Sequence, residues 1–534
     1  MKQNKLQTFV YNERNLFHEC ISMRNFLFKS AVLFLGVFFL NGCDEHARKP
    51  AESALTVDAS ATPEFSQSRR QLLVRGVYTD LSLNPLQAST IEQVAFLRDL
   101  FEGLVIYDVK GNIVPAVAEN WQTQDNKTWR FRLRETAKWS NGEPVTAQQF
   151  VASWRALAKS NSPLKDYLAY MNLLNAEKVL KQELPSEELG IVAENDRTLR
   201  LTLDKPTPYL PQMLAHSSLL PQYLQPHEGI VTNGAYQVSG QQGDLIHLEQ
   251  NPHYWAKEKV FFKNMDYQKI NSKQEVSALD IVWQPQQYVE QTQYFPQLCT
   301  YFYAFNFNMP QLAQSSVRKA LAMLTSPRRL LPENPSRFYL TDNFLPQSMQ
   351  TLESHWEQTP VEQLLSQGQI SEKAPLKLTL SYEQSELQNQ LVQGLIRMWS
   401  QSDMIRIIGE GMSKSQLLEK IAKGNFHIAR SGWCADYNEP SAFLSLFYSH
   451  SPDNKSGYRN EEVDRLFEQS LKVISSAERT ALYSRIEQIL QEENVVLPLY
   501  QSRVPVFLNP TLNGYDLANP TEVIYSKDLF RRIE

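Results

Sequence analysis

The order of elements between residues 376 and 432 constrains this chain most. Leu376–Tyr382 (LKLTLSY) alternates apolar and polar residues at the period of a strand. Ser385 and Gln388 form a capping box ahead of Leu387, Leu391, Leu395 and Trp399, which fall on one helical face. Met404–Ile408 reads as a second strand, Ser413 and Gln416 open a second helix that stops at Gly424, and Phe426–Arg430 (FHIAR) reads as a third strand. A β-α-β-α-β order builds a parallel sheet with right-handed crossovers, and open sheets of this kind hold ligands beyond the carboxyl ends of their strands. A ligand contact is therefore expected in the segment that follows, SGWCADYNEP at 431–440.

The rest of the chain reads as mixed α and β. Thr128–Arg134 (TWRFRLR) alternates Trp129, Phe131 and Leu133 with three arginines. Asn141-Gly142 is a turn signal, and Thr146 with Gln149 caps a helix carrying Phe150, Val151 and Trp154. Ile191–Leu203 and Leu245–Leu248 are further strand-like runs, and the Gln-rich stretch from Gln284 to Gln297 reads as solvated surface. With 534 residues, 42% of them hydrophobic, more than one lobe is expected. The 53 basic and 58 acidic residues give a net charge of -5, too balanced for a polyanion partner, so nucleic acid is disfavoured.

One stretch is apolar enough to meet a bilayer: Ala31–Leu40 (AVLFLGVFFL), behind Arg24 and Lys29. At 1.5 Å of rise per residue it covers about half of a roughly 30 Å hydrocarbon core, which fits a secretory signal and not a membrane span. LNGC at 40–43 resembles a bacterial lipobox, so Cys43 is expected to be lipidated. Asp44 after it resembles the signal that retains lipoproteins on the inner membrane. Residues 1–22 precede this layout, and Met23 makes a better start than Met1. Residues 23–42 are then the signal peptide and 43–68 a flexible tether.

Four cysteines are present. With Cys20 in the leader and Cys43 at the lipid site, Cys299 and Cys434 remain as a candidate disulfide in an oxidising compartment, the alternative being two separate buried thiols. Catalytic constellations are missing from the sequence: it holds no G-x-S-x-G, no H-E-x-x-H and no Walker A loop, and its nine histidines are scattered without ligand spacing. A binding protein is expected, with no enzyme activity, no cofactor and no metal.

RSGWCADYNEP at 430–440 is similar to the ligand loop of periplasmic oligopeptide-binding proteins, the extracellular solute-binding proteins of family 5 that feed ABC permeases. RDLFEGL at 98–104, AENW at 118–121, AKWSNGEPVTAQQFVASW at 137–154, VTNGAY at 231–236, LCTYFY at 298–303 and ALYSRIEQIL at 481–490 extend the likeness along the chain. WCADYNEP with LCTY points to the oligopeptide and murein-peptide branch. The resemblance implies an α/β fold of two hinge-linked lobes that close on ligand, a type II binding protein with an extra subdomain. The implied boundaries are 69–101, 212–298 and 504–534 for the core of lobe I, 102–211 for the extra subdomain and 299–503 for lobe II.

Carried onto this sequence, the resemblance makes Asp436 the partner of a peptide's α-amino group and Cys299 with Cys434 the disulfide. Gly432, Trp433, Cys434 and Tyr437 line the groove, Arg430 stands near it, and Tyr167 and Tyr170 lie over the ligand. Ser89 and Ile91 fall where relatives approach the second ligand position. Gln388 and Ile421 replace a histidine and an arginine that receive peptide carboxylates, leaving Lys420 and Lys423 as substitutes. The implied partners are oligopeptides, an inner-membrane ABC permease and the membrane itself through the anchor, with the protein a monomer in the periplasm. A narrower receptor for murein tripeptide, for haem or for a metal chelate, and a signalling lipoprotein, are the alternatives on the same fold.

Such a ligand explains the residue types. A binder of many peptides relies on what every peptide has, backbone N–H and C=O groups and terminal charges, through strand-like pairing. An enclosed α-ammonium needs a carboxylate, since stripping one member of a buried pair costs about 3 to 5 kcal/mol. An isolated loop aspartate is ordinarily a turn former; its surrounding loop gives Asp436 the ligand role.

Overall fold

Two long strands, Thr292–Phe305 and Val496–Leu508, pair antiparallel and run through the middle of an 11-stranded sheet. The computed structural model describes residues 71–272, 276–287, 289–330, 338–352 and 359–532. The expected signal peptide, lipidation site Cys43 and tether lie outside the described residues. Aromatic and β-branched residues dominate the first of these strands, as half-buried pleated surfaces favour. Their ladder shifts register between Pro296 and Thr300. Proline has no N–H to give a neighbour, and an irregularity beside it bends the strand.

On one side of this pair lie, in order, Ile428–Cys434, Leu376–Glu383 and Ile405–Met412, the last forming the sheet edge. These three are parallel to one another, as the β-α-β-α-β order requires. Helix Glu386–Trp399 is capped by the Ser385 hydroxyl, which accepts the Gln388 N–H, and buries Leu391, Leu395 and Trp399 on the strands. The Trp399 indole N–H donates to Thr325 Oγ1 at 2.9 Å, so the ring is buried without an orphaned donor. Gly424 ends the second helix at φ +65°, a conformation glycine takes without strain. Two strands outrun their sequence signal. The second continues to Met412 and the third to Cys434, because the long strand Thr292–Phe305 pairs with the third as far as Cys299.

On the other side lie Ile281–Trp283, Leu72–Val77, Asn264–Lys269, Leu245–Gln250 and Tyr236–Gln242. A separate four-stranded antiparallel sheet holds Ala118–Thr123, Thr128–Leu133, Ile191–Asn195 and Thr198–Thr202. Trp129, Phe131 and Leu133 are buried on it while Arg130 and Arg132 are exposed, and Phe150, Val151 and Trp154 of helix Ala147–Lys159 are buried in the same core. The Thr146 N–H donates to Gln149 Oε1 at 2.9 Å, the expected cap. The Gln-rich stretch is not merely surface, since the first long strand starts inside it and buries Phe295.

Buried chemistry fastens the carboxyl-terminal segment to this half. Arg75 donates to Ser526 Oγ and Ile524 O, while Asp99 accepts from Tyr267 Oη at 2.6 Å and Ser526 Oγ at 2.7 Å. Distinct apolar cores lie on the two sides, one around the strand Leu72–Val77 and one beneath Leu376–Glu383. The protein is a two-lobe α/β molecule whose lobes share the two long strands.

Candidate functional site

The segment singled out in the sequence lies on the strand Ile428–Cys434 and the loop that leaves it. Cys434 stands opposite Cys299 across the ladder, and the two sulfurs are bonded. The disulfide fixes the loop's first turn. Its far end is held by Trp433, whose indole N–H donates to Ala442 O at 2.7 Å. Glu439 is buried, accepts from the Ser441 N–H and hydroxyl, and faces Arg479 at 3.5 Å.

Asp436, between these fastenings, has no such partner. Its carboxylate makes no hydrogen bond or ion pair among the described residues. Desolvation alone pushes its pKa up to about 6, with no donor or cation to draw it back. The buried Glu439 is paired and hydrogen-bonded, so the loop does supply partners to a carboxylate that serves structure.

Aromatic rings wall this position. Tyr437 is buried and stacks on Tyr209 with centroids 5.3 Å apart. Tyr170, 44% exposed, lies 6.3 Å from Tyr437 and 5.6 Å from Tyr167. The Tyr167 ring stacks on His216 at 3.9 Å, and its hydroxyl donates to Met213 O. Burial, then the Asp436 charge, raises the phenols of Tyr167 and Tyr170 far above their ordinary range. Burial dominates for Tyr107 as well, and the Asp436 charge adds to it. The structure thus brings Asp436, Tyr437, Tyr167 and Tyr170 together. Tyr107, Tyr209 and His216 belong to the same wall and were not foreseen; no periodicity or motif marks them.

The strand before the loop is exposed to a partner along one edge. Its parallel neighbour meets it only at Leu380–Ile428 and Ser381–Ala429, whereas the long strand follows it on the other side to Cys434. From Ser431 onward, alternate N–H and C=O groups on the first edge have no strand to pair with among the described residues. Gly432 faces the Tyr301 ring so closely that a Cβ there would lie 2.7 Å from it. That ring packs between the Arg430 guanidinium, 4.9 Å from its centroid, and Tyr500 at 4.8 Å.

Other expected site residues stand elsewhere. Ser89 is exposed at the head of helix Ile91–Leu100, its hydroxyl bonded to Gln93 Oε1, and Ile91 opens that helix behind Thr90. Gln388 is buried in the first turn of its helix with Oε1 unpartnered, so it does not return the bond that a full capping box needs. Lys420 is bonded to Glu410 at 2.7 Å and the exposed Lys423 to Glu419 at 2.6 Å.

Residues 112–455 match the model of the bacterial extracellular solute-binding proteins, family 5. The chain belongs to that family. A Haemophilus influenzae protein whose name specifies binding but no ligand is 50% identical and covers 95% of this chain and 98% of its own. The periplasmic oligopeptide-binding protein OppA of Salmonella typhimurium is 30% identical over 90% of this chain and 96% of its own. Two solved structures of the murein tripeptide-binding protein MppA are each 31% identical, cover 86% of this chain, and span 97% and 98% of their own. They nevertheless differ in TM-score, 0.81 for the unliganded open form and 0.58 for the other. This family 5 member is therefore more similar in its overall arrangement to the unliganded open form than to the other structure.

Proposed function

We propose that this protein is a periplasmic receptor that captures oligopeptides between its lobes and delivers them to an inner-membrane ABC permease, tethered by a lipid on Cys43. The observation that carries the reading is the unpartnered Asp436 carboxylate in an aromatic crevice, at the end of a strand with an open edge. A peptide in extended form adds to that edge through its backbone, which brings its α-ammonium to Asp436. Arg430, Gly432, Trp433, Cys434 and Tyr437 form one wall, Tyr167 and Tyr170 the other, with Ser89, Ile91 and Gln388 assigned to the more distant ligand positions. OppA and MppA, by name binders of oligopeptide and murein tripeptide, support the substrate class.

Closure is assigned to bending of the two long strands where they pass between lobe I (69–101, 212–298 and 504–534, with the subdomain 102–211) and lobe II (299–503). The test is calorimetry with a tetrapeptide and its N-acetylated form. Acetylation removes the cation, and the loss of about 3 to 5 kcal/mol for a stripped buried pair translates to weakening by more than about a hundredfold. Equal affinities for the two peptides would refute the role of Asp436 and with it the reading.

A further inference from the structure

The lobe II sheet has a second concave feature, away from the Asp436 crevice. In its three parallel strands Leu376, Leu378, Leu380, Ile405 and Ile407 are buried with helix Glu386–Trp399. On the opposite face, Leu417 of helix Lys414–Ala422 packs with Phe426 and Ala429, but Lys377, Arg406 and Ile408 are left exposed. A cavity of about 440 Å³ opens there, lined by Lys377, Thr379, Ser400, Arg406, Ile408 and His427 among others, with no carboxylate among the lining residues.

Its charges are unbalanced. Lys377 and Arg406 are register partners on adjacent parallel strands, so both side chains leave the same face at an interstrand distance of about 4.8 Å. Like charges placed directly opposite are destabilising. Neither has an ion pair among the described residues, and the Arg406 guanidinium makes one hydrogen bond, Nη1 to Ile405 O at 3.0 Å. The carboxylate next along this face, Glu410, is taken by Lys420 and Ser381. His427 accepts the Thr379 N–H on Nδ1 at 3.0 Å, and burial lowers its pKa, so a neutral ring carries its proton on Nε2 as a further donor. Beside these donors Ile408 is 66% exposed.

We propose that this face is an anion site for a phosphate ester bearing a small apolar group, with Arg406 and Lys377 on the phosphate oxygens and Ile408 against the apolar part. Arginine's planar fork and the lysine point charge suit a tetrahedral oxyanion, and an anion between them removes the repulsion that the empty face carries. The ester can be a free metabolite or a lipid headgroup, which present the same chemistry.

The test is titration of the full chain with phenyl phosphate and inorganic phosphate, and flotation with phosphatidylglycerol against phosphatidylcholine vesicles. All are repeated with Arg406→Glu and Ile408→Ser. Phenyl phosphate should bind more tightly than inorganic phosphate, Ile408→Ser should erase that preference, and Arg406→Glu should weaken binding by at least about tenfold, the effect of losing one charged hydrogen-bond partner. Arg406→Glu should not lower Tm, because it turns a repulsive pair into an attractive one, and that readout guards against misfolding. Flotation with phosphatidylglycerol that Arg406→Glu abolishes would identify the lipid as the source; phenyl phosphate binding without flotation would identify a free ester. Absence of binding in both arms, or binding undiminished by Arg406→Glu, would overturn the proposal.

Discussion

Replacing Asp436 by asparagine should make the empty protein more stable while removing its peptide affinity. The gap between the ordinary aspartate value of 3.8 and the value of about 6 in this crevice corresponds to about 3 kcal/mol of unrelieved desolvation at neutral pH. The sign follows from the direction of the change. Because the folded pKa lies above the unfolded one, the folded protein binds this proton more tightly, and stability from this group is lost as pH rises from about 4 to 6. Asp436→Asn removes the charge and keeps the shape, so at pH 7 it should gain about 1 to 3 kcal/mol, read as a higher Tm without ligand. Binding should change in the opposite sense. The carboxylate is about nine-tenths ionised at pH 7 and about one-tenth at pH 5, so affinity for a free-amine peptide should fall about tenfold between them. Glu522, which burial pushes up to about 7, titrates in the same range; the difference between the wild-type and Asp436→Asn profiles isolates Asp436. A variant with unchanged Tm, or one that keeps the wild-type pH dependence, would refute the assignment of an unrelieved carboxylate.

Opening the Cys299–Cys434 bridge releases a loop with a sequence separation of 135, for which chain entropy gives up to about 5 kcal/mol; the Cys299→Ala/Cys434→Ala pair should melt well below wild type in calorimetry, and an unchanged transition would contradict this. Gly432→Val places a Cβ 2.7 Å from the Tyr301 ring, so the ring must move off Arg430. Peptide affinity should drop, and wild-type affinity would show that the ring's position is immaterial. Trp433→Phe loses the 2.7 Å bond to Ala442 and should destabilise the protein by about 1 kcal/mol, measured by denaturant unfolding. Small-angle scattering should show a smaller radius of gyration with saturating tetrapeptide, the outcome the proposed closure requires; superimposable profiles would count against it.

The lobe II sheet was legible because its signals are local. Ser385, Ser413 and Gly424 mark helix ends through their own side chains or backbone freedom, and the alternation in LKLTLSY marks a buried face. The extent of the third strand was not legible, since pairing with Thr292–Phe305, more than a hundred residues away, sets its end at Cys434. Within the site, Asp436 was found through the loop around it, but its missing partner is a property of space and has no signature in the sequence. Tyr107 and Tyr209 were missed for the same reason: they come from separate parts of the chain and meet only after folding. The pairing of Lys420 and Lys423 with Glu410 and Glu419 follows helix and strand geometry that composition does not reveal.

The bridge between Cys299 and Cys434 has a mechanical consequence. Cys299 sits within the register shift of the first long strand, where the ladder is least regular, and Cys434 is two residues from Asp436. Under the proposed closure, a bend at that irregular point is carried through a covalent strut to the carboxylate, so that the swing of one half of the molecule and the placement of its charge become a single linked movement. A reducing environment would cut this strut, so that the loss of stability and the loss of this coupling would arrive together.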